Sequence, residues 1–160
     1  MKTIALLLFA TQVAACSSGG SAAASAAARL RAEPAVREVV FRHLFANNAS
    51  GLKDRAAAYY IRFREADPEA AFLARFAGQE PPVLPASRCE ASKEQGVLDR
   101  ATGERGLLFT IESIEWLSDG EAVVVARYYE AGLSAAGYRL LVVWSGSRFR
   151  VEESSMLWIS

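Results

Sequence analysis

The chain has 160 residues, with 18 basic and 18 acidic side chains, one His and two Cys. A formal charge of zero argues against nucleic acid as a partner and against electrostatic attachment to a membrane, and so few His and Cys argue against a zinc site, which takes three or four ligands. The length suits one domain with a real core better than two.

The first residues have the layout of a secretory leader. Lys2 is basic, residues 4–10 ("IALLLFA") are apolar, and Val13, Ala14 and Ala15 are small residues ahead of Cys16. The apolar run is shorter than the roughly 20 residues that a spanning helix needs. The tetrad "VAAC" at residues 13–16 resembles the lipobox of bacterial lipoproteins, with Val13 where leucine is commoner. The resemblance implies cleavage after Ala15, a thioether from the Cys16 sulfur to diacylglycerol, and acylation of the new amino terminus. One myristoyl chain binds a bilayer only marginally, at about 0.8 kcal/mol per buried CH₂, so two or three chains are what make such an anchor stable. By the same resemblance Ser17, rather than Asp, after the cysteine implies the outer membrane of a Gram-negative cell. The expected address is therefore the cell envelope, lipid-anchored, on the periplasmic face of the outer membrane. An ordinary secretory signal that leaves Cys16 a free thiol is the alternative.

Residues 16–29 read as the lipidated cysteine and a Ser/Gly-rich tether, although the alanines from Ala22 onward fit the start of a helix equally well. Residues 30–160 read as one α+β domain. Pro34 suits a first helical turn, and Val36, Val39, Val40, His43 and Leu44 share a face. Glu33 with Arg37 and Glu38 with Arg42 fall at i, i+4 on the other side. This helix should stop at "NNASG", where Asn47, Asn48 and Gly51 tolerate the left-handed conformation. Residues 59–64 alternate as a strand does, and a helical stripe through Leu52, Ala56, Tyr59, Tyr60 and Phe63 competes with that reading. Asp67 as N-cap and Pro68 as N1 open a short helix through Phe72, Leu73 and Phe76 that ends at Gly78. "PPVLPASRC" should lie extended and irregular.

From Val97 onward the period is two. "GLLFTIESIEWL" and "EAVVVARYYEAG" flank Asp119-Gly120, a strong hairpin signal, and "YRLLVVW" and "RFRVEESSMLWIS" flank Ser145-Gly146-Ser147. The expected fold is α+β, with N-terminal helices packed on a curved antiparallel sheet, a meander of about four to six strands. In outline this resembles the cystatin-like and NTF2-like rolls, which implies a cavity between helix and sheet.

No cofactor is indicated. His43 is the single imidazole and reads as bordering the core face, and no nucleophile-elbow pattern supplies a serine partner for it. Enzymes of the NTF2-like class use an Asp or His base with Tyr or Trp donors. By that resemblance Asp99, Glu112, Glu115 or Glu130 could act with Tyr59, Tyr128, Tyr129 or Tyr138, while alternation alone reads the glutamates as solvent-facing. Trp116, Trp144 and Trp158 read as core, with Trp158 the best candidate for exposure. Cys89 beside Arg88 is a buried small hydrophobe, a free thiol or half of an intermolecular bridge. "NAS" at residues 48–50 reads as a helix end rather than a glycosylation site, "TGERG" at residues 102–106 as a turn, and "GLSAAGY" at residues 132–138 as an inter-strand loop and a possible binding rim.

"YYEAGLSAAGY" and "MLWIS" are similar to a type of bacterial lipoprotein, a resemblance that carries no activity. The expected function is a non-enzymatic binding module for an envelope protein or component, with Tyr129, Glu130, Tyr138 and Trp158 as candidate contacts and no catalytic or metal-binding residues. The alternative is a cavity-containing NTF2-like domain that binds or transforms a small apolar ligand.

Overall fold

The computed structural model describes residues 19–53 and 55–160, so the leader, the lipobox and Cys16 lie outside the described residues. The first element is α1, Gly19–Asn47. The stretch read as a tether is helical from Gly19, as the alanine run permits. Arg29 and Ser25 both hydrogen-bond the Asp119 carboxylate, which pins this half of the helix to a hairpin turn. Pro34 is inside the helix and not in its first turn. It is exposed, and so is Leu30, whose carbonyl loses its i+4 donor at the proline. Both i, i+4 pairs form, and Glu38 also accepts from Arg75 at 2.7 Å, tying α1 to the turn after the second helix. The helix end is capped differently from expectation. Asn47 and Asn48 do not have positive φ. Instead the Asn48 amide donates to the Leu44 and Phe45 carbonyls at 2.9 and 3.1 Å, closing the last turn by a side chain.

The strand reading of residues 59–64 holds as β1, Tyr59–Phe63. Tyr59, Tyr60 and Ile61 are all buried because β1 lies inside the sheet, covered on both faces. A short α2, Ala70–Leu73, continues as a 3₁₀ turn through Phe76 and ends at Gly78, whose φ is 77°. Its N-cap is Glu69 rather than Asp67. The Asp67 carboxylate accepts instead from the Ser87 backbone at 3.0 Å. The proline-rich stretch is partly regular: β2, Val83–Pro85, pairs parallel with β1. It is an edge strand, the place where a sheet tolerates proline. A 3₁₀ turn then leads to the hairpin of β3, Cys89–Ser92, and β4, Gly96–Asp99.

The four long strands are β5, Leu107–Ser118; β6, Glu121–Ala131; β7, Ser134–Trp144; and β8, Phe149–Ile159. They form the expected antiparallel meander with turns at Asp119-Gly120 and residues 145–148. "GLSAAGY" is not a loop: only Gly132 and Leu133 turn, and the remainder belongs to β7. The full sheet runs β2-β1-β5-β6-β7-β8, with parallel pairing at β2-β1-β5 and antiparallel pairing elsewhere. The protein is thus α+β, with one long helix, one short helix and a mostly antiparallel six-stranded sheet.

One face of the sheet packs on α1. There Val36, Val40, Phe41, Leu44 and Phe45 meet Tyr59, Phe109, Tyr128 and Leu140. Phe45 makes ring contacts with Tyr59 at 4.8 Å and Phe109 at 5.0 Å, so aromatic side chains fill the space between helix and sheet. On the other face the β3-β4 hairpin covers a smaller cluster that includes Ala58, Tyr60, Cys89, Val97 and Leu108.

Candidate functional site

The four candidate contact residues do not converge. Glu130, at the end of β6, accepts hydrogen bonds from Ser50 at 2.7 Å and Ser134 at 2.8 Å. The same Ser50 hydroxyl accepts from the Leu52 backbone, so the carboxylate ties the loop after α1 to the β6-β7 turn. Tyr138 is buried on the helix face, its ring stacked on Tyr128 at 6.5 Å. Burial pushes the hydroxyl pKa of both tyrosines up, and for Tyr128 nearby Tyr138 and Glu130 add to it. Tyr129 faces the opposite side and donates at 2.7 Å to the Ser92 carbonyl, fastening the small hairpin. These three residues serve the architecture.

The remaining carboxylates do not enter a helix–sheet cavity. Glu112 pairs with Arg127 at 2.7 Å and, like Glu115, is exposed. Asp99 is buried under the other face, where it accepts from Tyr60 Oη at 2.7 Å and from the Ala101 and Thr102 backbones at 2.8 and 3.0 Å. The Tyr60 bond, and then the two backbone donors, hold its pKa below the usual carboxylate value. Sequence reading placed Asp99 among candidate bases; here it organises the "TGERG" turn. His43 is half-buried, and loss of hydration lowers its pKa.

Cys89 is buried and donates to the Ala86 carbonyl. Burial pushes its thiol up to about 11, outweighing Arg100 and Arg62, so adjacent Arg88 does not create a reactive thiolate. Three recesses among the described residues are open grooves. The larger ones lie on the two sides of α1, at about 520 and 540 Å³. In the first, Arg37 is engaged by Glu33 and lies 3.6 Å over the Phe63 ring. Among the described residues no three or more His, Cys, Asp or Glu side chains gather to hold a metal ion, and no helix is long and apolar enough to cross a membrane.

The most unusual surface is β8. It pairs with β7 and lies at one edge of the sheet. From Glu152 onward every residue of it is exposed. Met156, Leu157, Trp158 and Ile159 retain 50, 51, 44 and 61% of their accessible surface. Residues 154–160 carry no charged side chain. Sheet edges are ordinarily blunted by charge, proline or shortness. The β2 edge is blunted in this way, being three residues long, preceded by Pro81 and Pro82 and ending in Pro85. The last half of β8 has a bulge at Leu157 as its one such device. Trp158 lies on Gly137 of β7, so closely that a Cβ on that glycine would overlap the indole. Of the three tryptophans expected in the core, Trp158 is the best candidate for exposure, and it is exposed at 44%. Trp144 is also exposed, at 49%, beside Phe149 where β7 turns into β8. Met156, Leu157 and Ile159 were missed as a group because an alternating pattern does not say which strand ends on the edge. Comparison of the chain with protein-family models, curated proteins and solved structures returned no match.

Proposed function

We propose that the protein is a lipid-anchored component of the bacterial cell envelope whose α+β domain is a non-enzymatic interaction module, and that the module engages its partner along β8. The observation that carries this reading is the exposed edge of residues 154–160, without charged side chains and with four large apolar ones. An open strand offers unpaired backbone donors and acceptors to a partner strand, and adjacent apolar side chains supply affinity. The aromatic filling between α1 and the sheet favours this over a ligand cavity. The anchor rests on the "VAAC" tetrad and the leader before it. Attachment through Cys16, at the periplasmic face of the outer membrane, leaves the domain free to meet an envelope partner. Kinship to cystatin-like or NTF2-like rolls rests on the helix-against-sheet layout and brings no activity with it.

Oxidative footprinting of Met156 and Trp158 tests the docking edge. In intact envelopes both side chains are expected to be protected relative to the dilute purified protein, while Leu30 and Leu133, also exposed, change little. Equal labelling of Met156 and Trp158 in both settings contradicts the reading.

A further inference from the structure

We infer that the partner along β8 is a second copy of this chain, paired antiparallel about an axis between Leu157 and Trp158. The inference rests on the docking reading above and adds the occupant.

Its basis is the internal symmetry of the edge. Residues 155–160 read "SMLWIS". Turned end for end on themselves, they place Ser155 opposite Ser160, Met156 opposite Ile159 and Leu157 opposite Trp158, so each polar residue meets a polar one and each apolar residue an apolar one. A two-fold contact needs this property, since the same patch must complement itself.

Side-chain facing agrees. Opposed residues in an antiparallel pair must point to the same face of the sheet. Met156 pairs with Tyr138 and Ile159 with Ala136, two buried residues of the helix face, so Met156 and Ile159 share that face although three residues apart. Three residues along a regular strand would put them on opposite faces. The bulge at Leu157, where Tyr138 and Gly137 pair with Met156 and Trp158, supplies the extra residue that brings them together. The same irregularity that reads as edge protection thus makes the self-pairing register consistent.

Charge selects the direction. In this register Glu152 and Glu153 of one copy lie at the opposite end of the six-residue pairing from those of the other. Parallel in-register pairing would line Glu152 and Glu153 against their own copies, where like charges repel. The joined sheets would bring together two helix-covered faces on one side.

The test is disulfide trapping in cells of the full chain, with Cys16 left for the lipid and Cys89→Ser removing the other thiol. Met156→Cys and Ile159→Cys, produced separately and together, change exposed positions and leave the core intact. Opposed residues bring Cβ atoms to about 4.5–5.5 Å, within reach of a disulfide after a small adjustment. Like positions in the same register lie on the diagonal, about 7–8 Å apart, still too far for an unstrained disulfide. The expected result is a covalent dimer of this chain when both variants are present, and at least tenfold less from either alone. Equal dimer from the single variants overturns the register and the proposal with it. No dimer from the pair, with Met156 and Trp158 still protected in envelopes, overturns self-pairing and leaves docking by a different protein. No dimer and no protection overturns both.

Discussion

Tyr60 of β1 donates a 2.7 Å hydrogen bond to Asp99 at the end of β4, joining the sheet's second face to the small hairpin that covers it. Asp99 also receives two backbone N–H groups, so its ionised form is the one the fold holds. Its folded-state pKa is lowered, first by Tyr60 and then by the backbone donors. The unfolded chain therefore takes up the proton first on acidification. The stabilisation is complete above the unfolded aspartate pKa, near 4, and is lost as pH falls through the folded value. Asp99→Asn is expected to lower the melting temperature at pH 7 and to flatten the decline between pH 5 and pH 2. Thermal melts across that range check it, and parallel curves for variant and parent would count against the assignment.

Glu130 joins Ser50 and Ser134 across two turns distant in sequence. Hydrogen bonds to a charged group contribute about 1.5–3 kcal/mol where both partners are shielded, and less where one is wet. Glu130→Ala should cost about 1–2 kcal/mol in urea denaturation and speed amide exchange at residues 49–53 and 132–135. A loss without faster exchange at both turns would place the effect elsewhere.

The Cys89 thiol, raised to about 11, holds roughly a thousandth of its population as thiolate at pH 8, against about a quarter in an unfolded chain. Alkylation of the folded domain should be slower by about two orders of magnitude than in denaturant, with no Cys89-linked dimer. Rapid modification of the native protein would show that the pocket around Cys89 opens readily.

Gly137 is where propensity and packing give opposite signs. Alanine normally stabilises an interior strand position over glycine by about 0.5–1 kcal/mol. Here a Cβ would overlap the Trp158 indole. Gly137→Ala is expected to displace that ring, shifting tryptophan emission to the red and lowering stability by about 1 kcal/mol. Emission that stays unchanged would mean the indole does not rest on Gly137.

The meander was legible because turn chemistry at Asp119-Gly120 and Ser145-Gly146-Ser147 agrees with period-two patterning on either side. The apolar face of α1 was legible for the same local reason. The parallel pairing of β1 was not, since residues 59–64 alternate as a half-buried strand does, and the burial of Tyr59, Tyr60 and Ile61 on both faces comes from chain segments far away in sequence. β2 was hidden by its prolines, which an edge strand accepts. Of the candidate residues, Glu130 and Asp99 proved to be polar groups with dedicated partners, but Ser50 and Tyr60 are 80 and 39 positions away and leave no local sign. Trp158 stood out as exposed, and the edge around it needed the strand order.

The anchor is the claim on which the placement of this module depends, and the intact mass of the mature chain extracted from bacterial membranes measures it most directly. The account predicts a chain beginning at Cys16, heavier than its amino-acid mass by a diacylglycerol and an additional acyl group, and a Cys16→Ala chain without that mass and released from the membrane. A mature chain of unmodified mass, recovered free of the membrane, would contradict it.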